Sequence, residues 1–180
     1  MDIISAAPVQ ISVTSPSLAS IEELYAIADA AIAALPSSCC VLSDGRVIIG
    51  ALTEANLASA TSSAGKHIPD LKLGPIEVTY FDTPNPVEPY YRVVVTSPAD
   101  YYGDVIGDLS RRCGWIEAMH HVDHGFAIKC AVPIAAMIGY DSELSRMTRG
   151  RGNAEYAFIG YFPRAREPVP PLTPATAARA

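Results

Sequence analysis

Long apolar runs are missing. Nothing in the 180 residues approaches the roughly 20 consecutive apolar residues of a membrane-spanning helix. The opening MDIISAAPVQ has neither the basic start nor the apolar stretch of a secretory leader. Both absences predict a soluble, cytoplasmic protein with no membrane partner. Cysteine is scarce: Cys39, Cys40, Cys113 and Cys130 form no C-x-x-C pair, and the adjacent two point to opposite faces of a strand. Reduced, largely buried thiols are the reading. No G-x-x-x-x-G-K-[ST] string occurs, so a phosphate-cradling loop is excluded. The nearest pattern, Gly103 and Gly107, lies inside a helical stretch whose amides are already bonded. No serine sits in a nucleophile-elbow string. Positive charge is thin in the first half. Residues 1–89 hold three Lys/Arg against ten Asp/Glu, residues 90–163 seven against eight, and residues 164–180 three against one. The net charge of −6 argues against a protein that coats nucleic acid generally, and it directs any such contact to the second half.

What is present is regular. VQISV (9–13) alternates as a strand. From Ile21 through Leu24, Tyr25, Ala28, Ile32 and Leu35 runs a helical stripe, with Ser20 as N-cap and Pro36 as stop. CCVL and RVIIGA flank Ser43-Asp44-Gly45, a hairpin signal. TEANLASATSSAG reads as a helix from Thr53 to Gly65, and PIEVTYF (75–81) as a closing strand. DTPNPVEP can continue neither element type and marks a boundary near residue 85. The order then repeats. YYRVVVT (90–96) is a strand and SPAD a helix start, with Ser97 as N-cap and Asp100 at the capping-box position. A helix through Leu109 follows, then a hairpin turning at Asp123-His124-Gly125, a helix interrupted at Gly139 and the strand AEYAFIGYF. Each half is therefore βαββαβ. The fold class is α+β, two ferredoxin-like modules in tandem, each a four-stranded antiparallel sheet with two helices on one face. The modules span residues 1–84 and 85–163, and the Pro- and Ala-rich tail 164–180 is expected to be disordered.

Chemical constellations are weak. His120, His121, His124 and Cys130 invite a metal reading, but the hairpin sends His120 and His121 to opposite faces and puts His124 in the turn. Cys113 with a hairpin histidine lacks an orienting third group. No metal, cofactor, small-molecule substrate or catalytic residue is expected. Asp104 and Asp108, four apart, read as one solvated helix edge. The arginines concentrate differently. Arg111 and Arg112 close one helix, while Arg146, Arg149 and Arg151 gather at the end of the other. Helix-end placement accounts for part of this; contact with a phosphate backbone accounts better for a cluster of five.

The strings EPYYRVVVTSPADYYGDVIGDLSRRCGWIEAM and AVPIAAMIGYDSELSRMTRGRGNAEYAFIGYFP resemble the C-terminal domain of elongation factor G and related translational GTPases. The family pattern runs E-P, a strand, P-x-x-Y-x-G-D-V-x-G-D-L, R-R-G, then V-P-L-x-E-M-x-G-Y, L-R-S-x-T-x-G-R and an aromatic strand. Cys113 is inserted in R-R-G, Ala136 replaces the acidic residue, and L-R-S has become Leu144-Ser145-Arg146. The first half is similar, more weakly, to domain III of that family. The GTPase domain and the long inserted domain have no counterpart, so the chain looks like domains III and V spliced together. The resemblance implies a non-catalytic accessory or regulatory factor of translation, with the large ribosomal subunit, its rRNA and stalk-base protein, as partner. It assigns Arg111, Arg112, Arg146, Arg149 and Arg151 to phosphate contacts, and Tyr102, Gly103, Asp104, Gly107 and Asp108 to a docking surface. The alternative is a protein-interaction module, dimeric or bound to another protein, that keeps the fold alone.

Overall fold

Alternating apolar residues make the first strand. In the computed structural model, which describes residues 7–81 and 86–164, β1 (Val9–Thr14) buries Val9, Ile11 and Val13 on one face. Helix α1 (Ile21–Ile32) starts on Ser20, whose Oγ accepts the Glu23 N–H at 3.1 Å. The Glu23 carboxylate in turn accepts the Ala19 N–H at 3.2 Å. Leu24, Ala28 and Ile32 form its buried stripe. Strands β2 (Ser38–Ser43) and β3 (Arg46–Ala51) make the expected hairpin, with Asp44 at φ 50° and Gly45 at φ 69°, the left-handed pair of a type I′ turn. Helix α2 (Glu54–Gly65) is capped by Thr53, which accepts the Asn56 N–H at 3.1 Å. Strand β4 (Lys72–Val78) completes an antiparallel sheet of order β2-β3-β1-β4.

The second half repeats the plan with β5 (Val87–Ser97), α3 (Tyr102–Arg111), β6 (Trp115–Val122), β7 (Gly125–Pro133), α4 (Tyr140–Thr148) and β8 (Asn153–Pro163). Its sheet order, β6-β7-β5-β8, is the same permutation, again antiparallel. The protein is thus α+β, two ferredoxin-like modules in tandem. Phe126, Ile128, Cys130 and Val132 point inward from β7, as their alternation predicts. The buried apolar residues of both modules form one continuous cluster. The modules also meet polar to polar: the Glu54 carboxylate accepts the Gly139 N–H at 3.0 Å.

Several local expectations are corrected. Ser97 does not cap a helix. The ladder with β7 continues to the Ser97–Phe126 pair, so Ser97 ends the strand, buried. A 3-10 turn, Ala99–Tyr101, intervenes before α3, and neither start has a side-chain cap. Helix α1 stops at Ile32, and Leu35 follows in a turn through its N–H to the Ile32 carbonyl at 2.8 Å. Strand β4 ends at Val78, while Phe81 pairs with Val87 through backbone bonds of 3.3 and 3.1 Å. Residues 82–85, around the expected boundary, and 165–180, nearly all of the expected tail, lie outside the described residues. Arg164, the tail's first residue, bonds back through its N–H to the Pro86 carbonyl at 2.9 Å.

Candidate nucleic-acid interface

Helix α3 has two faces. Val105 and Leu109 are fully buried. Gly103, Gly107 and Arg111, spaced four apart, follow one outward line. That line borders an open groove of about 410 Å³ shared with Glu143, Arg146 and Met147 of α4. The glycines are its floor. A Cβ added at Gly103 would meet nothing within 4 Å, and one at Gly107 only the Arg111 guanidinium at 4.0 Å. The sheet beneath therefore does not require them. Both have ordinary helical backbone, and each weakens the helix against alanine by up to about 1 kcal/mol. What they preserve is space outside the module.

Two arginines stand over this floor. Arg111 bonds Asp108 Oδ1 through Nη2 at 3.1 Å with its side chain 73% exposed. Arg146 is 72% exposed and holds Glu143 through Nε at 3.0 Å and Nη2 at 2.5 Å. That fork keeps the Glu143 carboxyl below its ordinary value and raises Arg146, the side-chain hydrogen bond being the main cause. Exposed pairs at this spacing are weak and exchange readily for a phosphate. Asp104 also lines the groove, so its charge is mixed.

The other arginines separate. Arg112 turns inward, away from the exposed arginines. Its Nε bonds Asp108 Oδ2 at 2.7 Å, its Nη1 donates to the Ala136 carbonyl, and its guanidinium lies 5.0 Å from the Tyr140 ring centre. Asp108 is corrected from a solvated edge: it is a buried acceptor of both arginines. Arg149 and Arg151 are exposed but lie beyond the groove. Arg149 ends α4 in a left-handed conformation, φ 53°. Arg151 stacks 5.0 Å over Tyr101 and donates to its hydroxyl, joining the end of α4 to the turn before α3. Tyr102 is exposed off the groove, edge-on to Phe126 at 5.2 Å, with its hydroxyl on Met119 Sδ at 3.3 Å.

Glu143 and Met147 were missed by sequence reasoning, although α4 periodicity puts Glu143, Arg146 and Met147 on one side. Cys113 occupies the left-handed position, φ 58°, of a Schellman closure. Its N–H reaches the Ser110 carbonyl at 3.2 Å, and the Gly114 N–H reaches that of Leu109 at 3.0 Å. The hairpin histidines do diverge: His120 pairs with Ala127, His121 with Phe126, and His124 sits in the turn. Cys130, opposite Ile116 further along β7, is buried, which pushes its thiol up to about 12. Among the described residues no three His, Cys, Asp or Glu side chains are grouped to hold a metal ion. Nor, among them, is any helix long and apolar enough to cross a membrane.

Comparison with known proteins follows this division. Residues 85–170 match the family described as Elongation factor G C-terminus. Elongation factor G 2 of Trichodesmium erythraeum (strain IMS101) is 44% identical over 80 residues, which is 44% of this chain and 12% of that protein. The shared sequence is thus elongation-factor-G-like in the C-terminal part alone. A crystal structure of a Thermus thermophilus protein superposes with a TM-score of 0.59 at 14% identity, covering 88% of this chain and 41% of that one. That likeness spans both modules as a fold.

Proposed function

From a second module that carries the elongation factor G C-terminal pattern, we propose a non-catalytic, translation-factor-like protein that docks on the large ribosomal subunit, at rRNA and stalk-base protein. Under this reading the first module is the domain III-like partner of a domain V-like one. Arg111 and Arg146 clasp a phosphodiester backbone across the groove, and Arg149 and Arg151 extend the contact past the end of α4. The carrying observation is the pair of glycines. They lower helix propensity, pack against nothing inside, and leave room for an approaching chain. Cosedimentation with 50S subunits at two salt concentrations tests the reading. Each phosphate contact adds roughly 0.7–0.9 to the slope of log affinity against log salt. The Arg111→Ala/Arg146→Ala variant should bind more weakly and with a shallower slope. Salt-insensitive binding, no binding, or full binding by that variant would each reject it.

One observation favours a second reading. Strand β4, a sheet edge, leaves Leu73 49% and Ile76 36% exposed, and such an edge can pair with another protein or a second copy. A dimer by light scattering, with no ribosome retained in a pull-down, selects that reading.

A further inference from the structure

Helix α4 lacks a cap of its own. Its N-cap, Gly139, has φ 73° and no side chain, and no side-chain cap bond is made there. The third helical position is Ser142, so the Glu or Gln that would reach back to the N-cap N–H in a capping box is missing. Glu54 takes that place from the other module: its Oε2 accepts the Gly139 N–H at 3.0 Å. Glu54 is also the first residue of α2, so one carboxylate serves the positive ends of two helices. Its surroundings are built. Tyr91 is buried beside it and meets Tyr156 edge-on at 5.5 Å, and the Tyr156 hydroxyl donates to Asp141 Oδ1 at 2.5 Å in the first turn of α4.

We propose that Glu54 is a positioning residue: the first module fixes one wall of the α3/α4 groove by completing the cap of α4. That wall consists of Glu143, Arg146 and Met147. Its rigidity therefore depends on a bond made across the module boundary, and the first module has a role in ligand binding without touching the ligand. The RNA part of this inference rests on the proposed function; the cap itself does not.

The test uses the full chain with Glu54→Ala and Glu54→Gln, and Glu77→Ala as a charge control. Glu77 is exposed on the same module. In Glu54→Ala the Gly139 amide should exchange with solvent about tenfold faster, and Glu54→Gln, which still accepts the bond, should recover most of the protection. The amide resonances of Arg146 and Met147 should shift in Glu54→Ala and stay near wild type in Glu54→Gln. Binding to 50S subunits supplies a sign. Removing a carboxylate favours an anionic ligand by charge alone, so Glu77→Ala should bind equally or more tightly. Loss of positioning instead predicts several-fold weaker binding for Glu54→Ala, rescued by Glu54→Gln. Unchanged exchange at Gly139 overturns the cap. Unmoved Arg146 and Met147 resonances, or tighter 50S binding by Glu54→Ala, overturn the positioning role. If the wild type does not bind 50S subunits, the proposed function fails, and exchange and resonances alone decide this inference.

Discussion

The two modules share one topology but use their helices differently. In the first, α1 and α2 close on each other over small residues. Ala28, Ala60 and Ala64 are buried, and Ser63 Oγ donates to the Ala31 carbonyl at 2.8 Å, tying one helix to the other. In the second, glycines and long charged side chains line the groove between α3 and α4, whereas the hollow of about 370 Å³ beside α1 is lined by Ala26, Ile27, Ala30, Ala31 and His67. Small residues thus do opposite work: buried alanine lets helices approach, while exposed glycine keeps a surface bare. The sheets keep one strand order, and the lining of the helix layer is what distinguishes the two grooves.

The largest effect separates two neighbours on α3. Arg112 is the main partner of a buried carboxylate, whereas Arg111 adds an exposed contact to the same group. Arg112→Ala leaves Asp108 without its closest cation and should destabilise the protein by about 3 kcal/mol. Arg111→Ala should leave stability within about 0.5 kcal/mol of wild type while weakening any anion binding. Urea denaturation of both variants checks this. Equally small losses would mean that both arginines are surface groups and that the inward assignment of Arg112 is wrong.

A smaller effect with the opposite sign tests the glycine floor. Gly107→Ala, in mid-helix, should stabilise the protein by up to about 1 kcal/mol, and Gly103→Ala, in the first turn, by less. Thermal melts should rise by a few degrees, about 2–4 °C per kcal/mol for a chain of this size. Binding to 50S subunits should fall in the same variants, because each methyl stands in the groove. A stabilised variant that binds as well as wild type would remove the reason for the groove. A destabilised one would show that the glycines serve internal packing after all.

Much of the architecture was legible because it rests on periodicity. The period-two strands, the 3.6-period stripes and the Asp44-Gly45 turn each exclude most alternatives. The site was legible only as residue types. Four residues advance a helix about 40° beyond one full turn. That rotation carries Asp108 away from the edge occupied by Asp104 and under Arg112. Adjacent Arg111 and Arg112 differ by about 100°, enough to put one in solvent and the other against Tyr140. No spacing rule says which of two such neighbours a later segment will cover. The Ala136 carbonyl and Tyr140 ring that claim Arg112 lie more than twenty residues on. The helix start at Ser97 failed for a related reason: local capping chemistry competed with a long-range strand pair and lost.

The smallest effect concerns the ion pair on the groove wall. Arg146 holds the Glu143 carboxyl below its ordinary value. A carboxyl depressed on folding contributes stability that is fully present above its unfolded value and is lost as pH falls through the folded one. Both groups are solvent-facing, so the acid limb of stability assigned to Glu143 should be slight and should shrink further in salt. The more informative readout is binding. Glu143→Gln frees the Arg146 fork and removes an anion from the groove, so it should leave the melting temperature nearly unchanged and strengthen 50S association a few-fold. An increase in affinity matched by Asp104→Asn on the opposite wall would show that charge on both sides limits binding. An increase confined to Glu143→Gln would place the phosphate contact at Arg146. No increase from either would locate the contact at Arg149 and Arg151, outside the groove, and leave Gly103 and Gly107 unexplained.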